Sequence, residues 1–186
     1  MGINSAPEYS VGRFCIAQPD NFESILKKIL EGRFKITNLQ RIQISFSKNQ
    51  KPINALNDVL ICHQNPAMLC RYCLEINRNR EEQRSSGIWV STAVGSSGAI
   101  QSAGGKILSQ YAKLMQYKPR ELYQGKLKGY QLRGGVLDSK DSIKVISLMR
   151  RGVIYVDGAH QKIPFEYGDS IQIKLSSNPI KTIQIT

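Results

Sequence analysis

The sequence holds no apolar run long enough to cross a bilayer as a helix. No apolar core follows Met1-Gly2-Ile3-Asn4, so no secretory leader is visible. There is no internal repeat and no low-complexity linker. Acidic residues are scarce, 14 against 26 Lys plus Arg, leaving a formal charge of +12. That excess favours phosphates and other polyanions at the surface. The basic residues are scattered, however, with only short clusters such as Arg78-Asn79-Arg80 and Arg150-Arg151. Nucleic-acid modules carry a basic stripe or a recognisable motif, and neither is present, so no nucleic acid and no membrane are expected as partners.

Cysteine is also sparse: Cys15, Cys62, Cys70 and Cys73. Cys62, His63, Cys70 and Cys73 could be read as a metal quartet. Cys70 and Cys73 lie in a strand-like segment that would turn their thiols to opposite faces. The preferred reading is reduced thiols used as small hydrophobes in a cytoplasmic protein, with no metal.

What is present suffices for a core. The 186 residues, 41% hydrophobic and 22% charged, suit a single domain over 1–186. Asp20 to Glu31 reads as a helix, with Phe22, Ile25, Leu26, Ile29 and Leu30 on one face. Asp20 with Glu23 suggests a capping box, and Gly32 a C-terminal stop. From Phe34 the period becomes two, as in Ile42, Ile44 and Phe46. Lys48 to Pro52 reads as a turn. Ala55 to Cys62 reads as one strand interrupted by Asn57-Asp58, a pair that either faces a ligand or forms the strand's solvated entrance. Leu69 to Asn77 reads as a strand, Asn79 to Arg84 as a charged turn, and Ile107 to Met115 as helical or mixed until Pro119. Short β-like runs follow at Tyr130–Leu132, Ile143–Leu148, Val153–Val156, Ile171–Leu175 and Ile180–Ile185, with turns at Asp157-Gly158 and Gly168-Asp169. The fold class is mainly β with a few helices, α+β.

The centre of the chain is Gly87 to Gly105. A buried strand over Ile88–Val90 runs into a turn of small residues and restarts as a helix whose first residues are Ser96 and Ser97. Small residues at such a turn leave backbone N–H groups uncovered. With the hydroxyls of Ser96, Ser97 and Ser102, they point to a phosphorylated or sugar-bearing ligand. A plain turn with N-cap serines is the equally weighted alternative.

These residues carry a resemblance. Ala55-Leu56-Asn57-Asp58, Ser86-Gly87, Ser91-Thr92-Ala93-Val94-Gly95-Ser96-Ser97-Gly98-Ala99, Ser102-Ala103-Gly104-Gly105, Asp157-Gly158 and Gly168-Asp169 follow one another in an order similar to the C-terminal domain of NAD kinases. Gly2-Ile3-Asn4-Ser5 resembles the family's segment joining its two lobes. The resemblance implies phosphoryl transfer from ATP or polyphosphate, with a divalent metal such as Mg, to the 2′-hydroxyl of the NAD adenosine ribose, giving NADP. It implies a β-rich NAD-binding lobe in a homodimer or homotetramer, with sites completed across subunits. The family's G-G-D-G-T, carried by an N-terminal α/β lobe, does not occur here. The chain therefore reads as an excised or truncated C-terminal domain, inactive alone and without a catalytic residue or bound metal of its own. Residues 1–14 and the C-terminal tail are expected to pack toward the missing lobe.

Carried over one residue at a time, the resemblance implies NAD contacts from Asn57, from Asp58 where Glu is usual, and from Ser97 and Ser102. Gly98 and Ala99 stand where Ala and Tyr are usual, which removes a stacking face. Ser86 stands where Asp is usual, and Arg84 where many members are basic. Thr92, Gly95 and Ser96 form the loop, and His160 would reach a neighbouring subunit's ligand. Two other classes stay open: a non-catalytic nucleotide-binding or assembly module of the same fold, and a relative of lipid or diacylglycerol kinases.

Overall fold

A computed structural model describes residues 2–9, 12, 14–48, 50–124 and 129–185. In chain order the elements are β1 (Gly2–Ile3), β2 (Cys15–Ala17), α1 (Phe22–Leu30), β3 (Phe34–Leu39), β4 (Ile42–Phe46), β5 (Ile53–Ala55), β6 (Asp58–His63), β7 (Cys70–Ile76), β8 (Asn79–Ser85) and β9 (Ile88–Thr92). A 3₁₀ turn (Val94–Ser97) and α2 (Ala99–Ser102) follow. Then come β10 (Met115–Pro119), β11 (Gly135–Leu137), β12 (Ile143–Ser147), β13 (Gly152–Val156), β14 (Gln161–Pro164), β15 (Ser170–Leu175) and β16 (Ile180–Ile185). They group into two compact units, Met1–Asn38 with Lys181–Thr186, and Leu39–Ile180.

In the first unit β1 pairs with β2 in parallel, and β3 pairs with β16. Helix α1 has the apolar face its periodicity predicts, but the capping box does not form. The N-cap is Asn21, whose Oδ1 accepts the Gln18 N–H at 2.8 Å instead of capping the helix. The C-terminus ends as Gly32 predicts. Gly32, at φ +73°, donates to the Ile29 carbonyl, and Arg33 donates to that of Lys28. This Schellman pattern needs a left-handed residue after the cap. No residue of α1 is buried, and Leu30 is 79% exposed.

The second unit is a β-sandwich. One six-stranded sheet runs β11-β10-β9-β6-β13-β14, the other β5-β4-β15-β12-β7-β8. Their inner faces meet in a single core. Ile42, Ile44, Tyr72, Leu74, Ile143, Val145, Ile171 and Ile173 of one sheet pack against Val59, Ile61, Ile88, Val90, Met115 and Ile154 of the other. Alternation along each strand puts these side chains inward. The mainly-β expectation therefore holds.

Four local readings are corrected. Asn79 to Arg84 is no turn: β8 pairs with β7 from Ile76↔Asn79 to Cys70↔Ser85. Its inward residues, Gln83 and Ser85, are polar, which hides the period. Both are buried and bonded to the Tyr72 hydroxyl, at 3.0 and 2.9 Å. Tyr130–Leu132 is not a strand, because the N–H groups of Gln131 and Leu132 go to the Glu81 carboxylate, each at 3.0 Å. Ile107 to Lys113 is irregular, and Met115 opens β10, which Pro119 closes. The single strand read over Ala55–Cys62 is two strands in different sheets, β5 and β6, with the break at Leu56-Asn57. Cys70 faces the core from β7, and Cys73, three residues on, lies on the opposite face with its Sγ accepting from Arg80 Nε.

Candidate functional site

The break at Leu56-Asn57 is held by one acid. Asp157 begins the turn after β13 at φ +50°, and its carboxylate accepts three successive backbone N–H groups. Oδ2 takes that of Leu56 at 2.8 Å; Oδ1 takes those of Asn57 at 2.7 Å and Asp58 at 3.2 Å. The Asp157 N–H returns to the Asp58 carbonyl at 2.9 Å. The chain thus leaves one sheet and enters the other without stranding a donor. The sequence marked Asp157 as a turn residue and as part of the Asp-Gly pair in the resemblance, but not the segment it binds.

A second set of contacts clamps the same segment from β9. Thr92 Oγ1 donates to the Leu56 carbonyl at 2.6 Å and accepts the Gly95 N–H at 3.0 Å. The Thr92 N–H goes to the Asn57 carbonyl at 2.9 Å. Gly95 packs so closely that a Cβ there would stand 2.1 Å from the Asn57 oxygen. Only glycine permits that approach. Thr92 and Gly95 therefore shape the loop rather than face a ligand.

Ser96 is corrected as a donor. It is fully buried; its Oγ donates to the Ala93 carbonyl at 2.6 Å and accepts the Leu108 N–H at 2.9 Å. Ser96 and Ser97 do not open a helix. They lie in the 3₁₀ turn, and the short α2 starts at Ala99. The N–H groups of Gly95, Ser96 and Gly98 are bonded inside the turn, so these three are not uncovered donors.

What remains accessible clusters at one end of β6 and β9. Asn57 and Asp58 are half-buried, Ser97 is half-buried, and Gly98, Ala99 and Ser102 are exposed. The Asp58 carboxylate points toward Gly98, whose Cβ would lie 3.8 Å from Oδ2. Burial, and then the neighbouring Asp157 carboxylate, push the Asp58 pKa up to about 6. This group passes between acid and carboxylate near neutral pH and can give or accept a hydrogen bond to a hydroxyl.

Arg84 and Ser86 are not part of this cluster within one chain. Asp58 pairs with Ser91 and Ile61 with Ile88, so Ser86 lies beyond the other end of β9. At about 3.3 Å per residue that is roughly 15 Å away. Its N–H donates to the Arg120 carbonyl at 3.0 Å, and the Arg84 N–H donates to the Tyr130 hydroxyl oxygen at 3.3 Å. His160 is exposed in the turn that Asp157 opens. Among the described residues no group of three His, Cys, Asp or Glu converges as a metal site, and no helix is long and apolar enough to cross a membrane.

The second unit is thus a β-sandwich whose strand crossing presents an Asn-Asp pair beside a small-residue turn. Residues 56–185 match the family model described as the ATP-NAD kinase C-terminal domain. The chain belongs to that family. It is 32% identical over 180 residues to a probable NADH kinase of Oryza sativa subsp. japonica, covering 94% of this chain and 55% of that protein. It is 29% identical over 170 residues to an NAD kinase of Sulfurimonas denitrificans, covering 87% and 56%. The chain thus spans about half the length of the curated relatives it matches. A crystal structure of an NAD kinase from Archaeoglobus fulgidus in complex with ATP superposes with a TM-score of 0.77 at 25% identity, over 94% of this chain and 65% of that one. Yeast NADH kinase complexed with NADH shares the fold, with a TM-score of 0.79 at 18% identity, over 92% of this chain and 51% of that one.

Proposed function

We propose that this chain is the dinucleotide-binding lobe of an NAD(H) kinase, and that the full-length protein phosphorylates the 2′-hydroxyl of the adenosine ribose to give the NADP form. The observation that carries the reading is the Asn57-Asp58 pair, whose backbone is pinned from one side by Asp157 and from the other by Thr92 and Gly95. Phosphoryl transfer depends mainly on positioning and electrostatics. An Asn amide on a pinned backbone and a carboxylate that ionises near pH 6 suit the hydroxyls of a ribose. Ser97 and Ser102 add hydroxyls from the adjoining turn.

The chain on its own binds nucleotide and does not turn over. The metal that neutralises the donor phosphates arrives with ATP or polyphosphate and is not held by this lobe. The lobe self-associates as a homodimer or homotetramer, and His160 of one subunit reaches another's ligand. A cytoplasmic location accompanies this reading.

Calorimetric titration of the chain with NAD, NADH and NADP tests it. Saturable binding that falls at least tenfold in Asn57→Ala is expected, and affinity unchanged in that variant removes Asn57 from the site. Light scattering of the same sample reads the assembly state. A second reading, a non-catalytic binding module, is favoured by the small exposed pair Gly98-Ala99. Kinase activity in the full-length gene product dismisses it.

A further inference from the structure

The hydroxyl of Ser91 is fully buried and, among the described residues, has no hydrogen-bond partner. Buried hydroxyls are rarely left so, because the lost water is then not replaced. Ser91 sits on β9 between two cross-strand neighbours, Asp58 on β6 and Gln116 on β10. Gln116 is committed elsewhere. Its Oε1 accepts the Lys106 N–H at 2.9 Å, and its Nε2 donates to the Lys106 carbonyl at 2.8 Å. Asp58 is the other neighbour. The Thr92 N–H bonds the Asn57 carbonyl, which makes Asp58↔Ser91 the wide, non-hydrogen-bonded pair of the ladder. Side chains of such pairs stand closest of any in an antiparallel sheet.

We propose that Ser91 is the positioning residue of Asp58: its hydroxyl donates to the Asp58 carboxylate and holds it toward the site beside Gly98. Rotation of Ser91 about χ1 between staggered wells brings the hydroxyl to the carboxylate. The bond forms with the ionised acid, which is acceptor-only, and so favours the form able to receive a ribose hydroxyl. It opposes the two influences acting the other way, burial and Asp157. The charged group facing Asp58 is Asp157 from the β13–β14 turn, where His160 is exposed to solvent. β9 offers the neutral Ser91, and residues 93–98 carry no titratable side chain. The role in ligand binding rests on the NAD(H) reading above; the Ser91–Asp58 bond does not.

The test is a carbon-detected NMR titration of Asp58 in the whole 186-residue chain without nucleotide. Ser91→Ala is expected to raise the Asp58 pKa by about one unit, the size of a hydrogen bond to a charged group. Ser91→Thr, which keeps the hydroxyl, restores the original value. The fluorescence of Trp89, the single tryptophan, checks that each variant is folded. An Asp58 titration that does not move in Ser91→Ala overturns the proposal. With NADH as probe, Ser91→Ala should bind about fivefold more weakly near pH 5 and close to normally at pH 8, as Asp58 ionises again. A loss of equal size at both pH values marks a packing defect and also overturns it. If even the unmodified chain fails to bind NAD or NADH, the NAD(H) reading falls, and the Asp58 titration still decides the role of Ser91.

Discussion

Asp157 Oδ1 accepts the backbone N–H of Asn57 at 2.7 Å, across 100 residues of sequence. The same carboxylate takes the N–H groups on either side. This contact sets where β5 ends, where β6 begins, and where the Asn57 side chain is presented.

Asp157→Ala should therefore act on stability and binding together. Three donors lose a charged acceptor at an exposed site, a loss of about 1–2 kcal/mol. Thermal unfolding should show it as a lower Tm. Asp157→Asn, which keeps one acceptor oxygen and tolerates positive φ, should lose less.

Gly95→Ala drives a Cβ to 2.1 Å from the Asn57 oxygen. Backbone cannot yield as a flexible side chain can, so the turn must move. A destabilisation of about 2–3 kcal/mol is expected, as for overpacking. Denaturant unfolding measures it, and nucleotide affinity should fall in the same variant.

Asp58 predicts a pH dependence with a definite sign. Its pKa rises from 3.8 to about 6 on folding. Between those values the folded chain binds more protons than the unfolded one, so the contribution of Asp58 to stability falls as pH rises through that window. Asp58→Asn should flatten the slope of stability against pH between about 4 and 6. Nucleotide binding should run the opposite way in the unmodified chain, strengthening as pH rises through 6 and the carboxylate forms.

Tyr72→Phe removes the hydroxyl that bonds Gln83 and Ser85 between β7 and β8. Two buried polar groups then lose a partner. Gln83 keeps its bond to the Leu132 carbonyl, and Ser85 its bonds to Gly87. The expected loss is about 1–2 kcal/mol, read from chemical denaturation. Burial pushes the Tyr72 pKa far above its ordinary value, so the loss should not vary with pH below 10.

Much of the β framework was legible in order. Ile42-Gln43-Ile44-Ser45-Phe46 alternates, and β4 occupies those residues. The Gly32 stop of α1 and the turns at Asp157-Gly158 and Gly168-Asp169 fall where local chemistry puts them, each glycine at positive φ. Strand β8 was not legible. Its inward positions hold Gln83 and Ser85, and the partner that makes them tolerable, Tyr72, is reached only after the strands pair. Ser96 misled for a related reason: a serine in a small-residue turn looks like a free donor until Leu108 folds back onto it.

The family lies in the amino-acid order, because a close backbone approach at Gly95 and a carboxylate in a turn demand particular residue types. How those residues are used was decided by tertiary contacts. Sequence spacing does not say that Asp157 binds residues 56–58, that Thr92 and Ser96 spend their hydroxyls inside the loop, or that Ser91 stands opposite Asp58 across the ladder. Those outcomes depend on which strands become neighbours and in what register, and register in a two-sheet sandwich is set by burying one face of every strand at once.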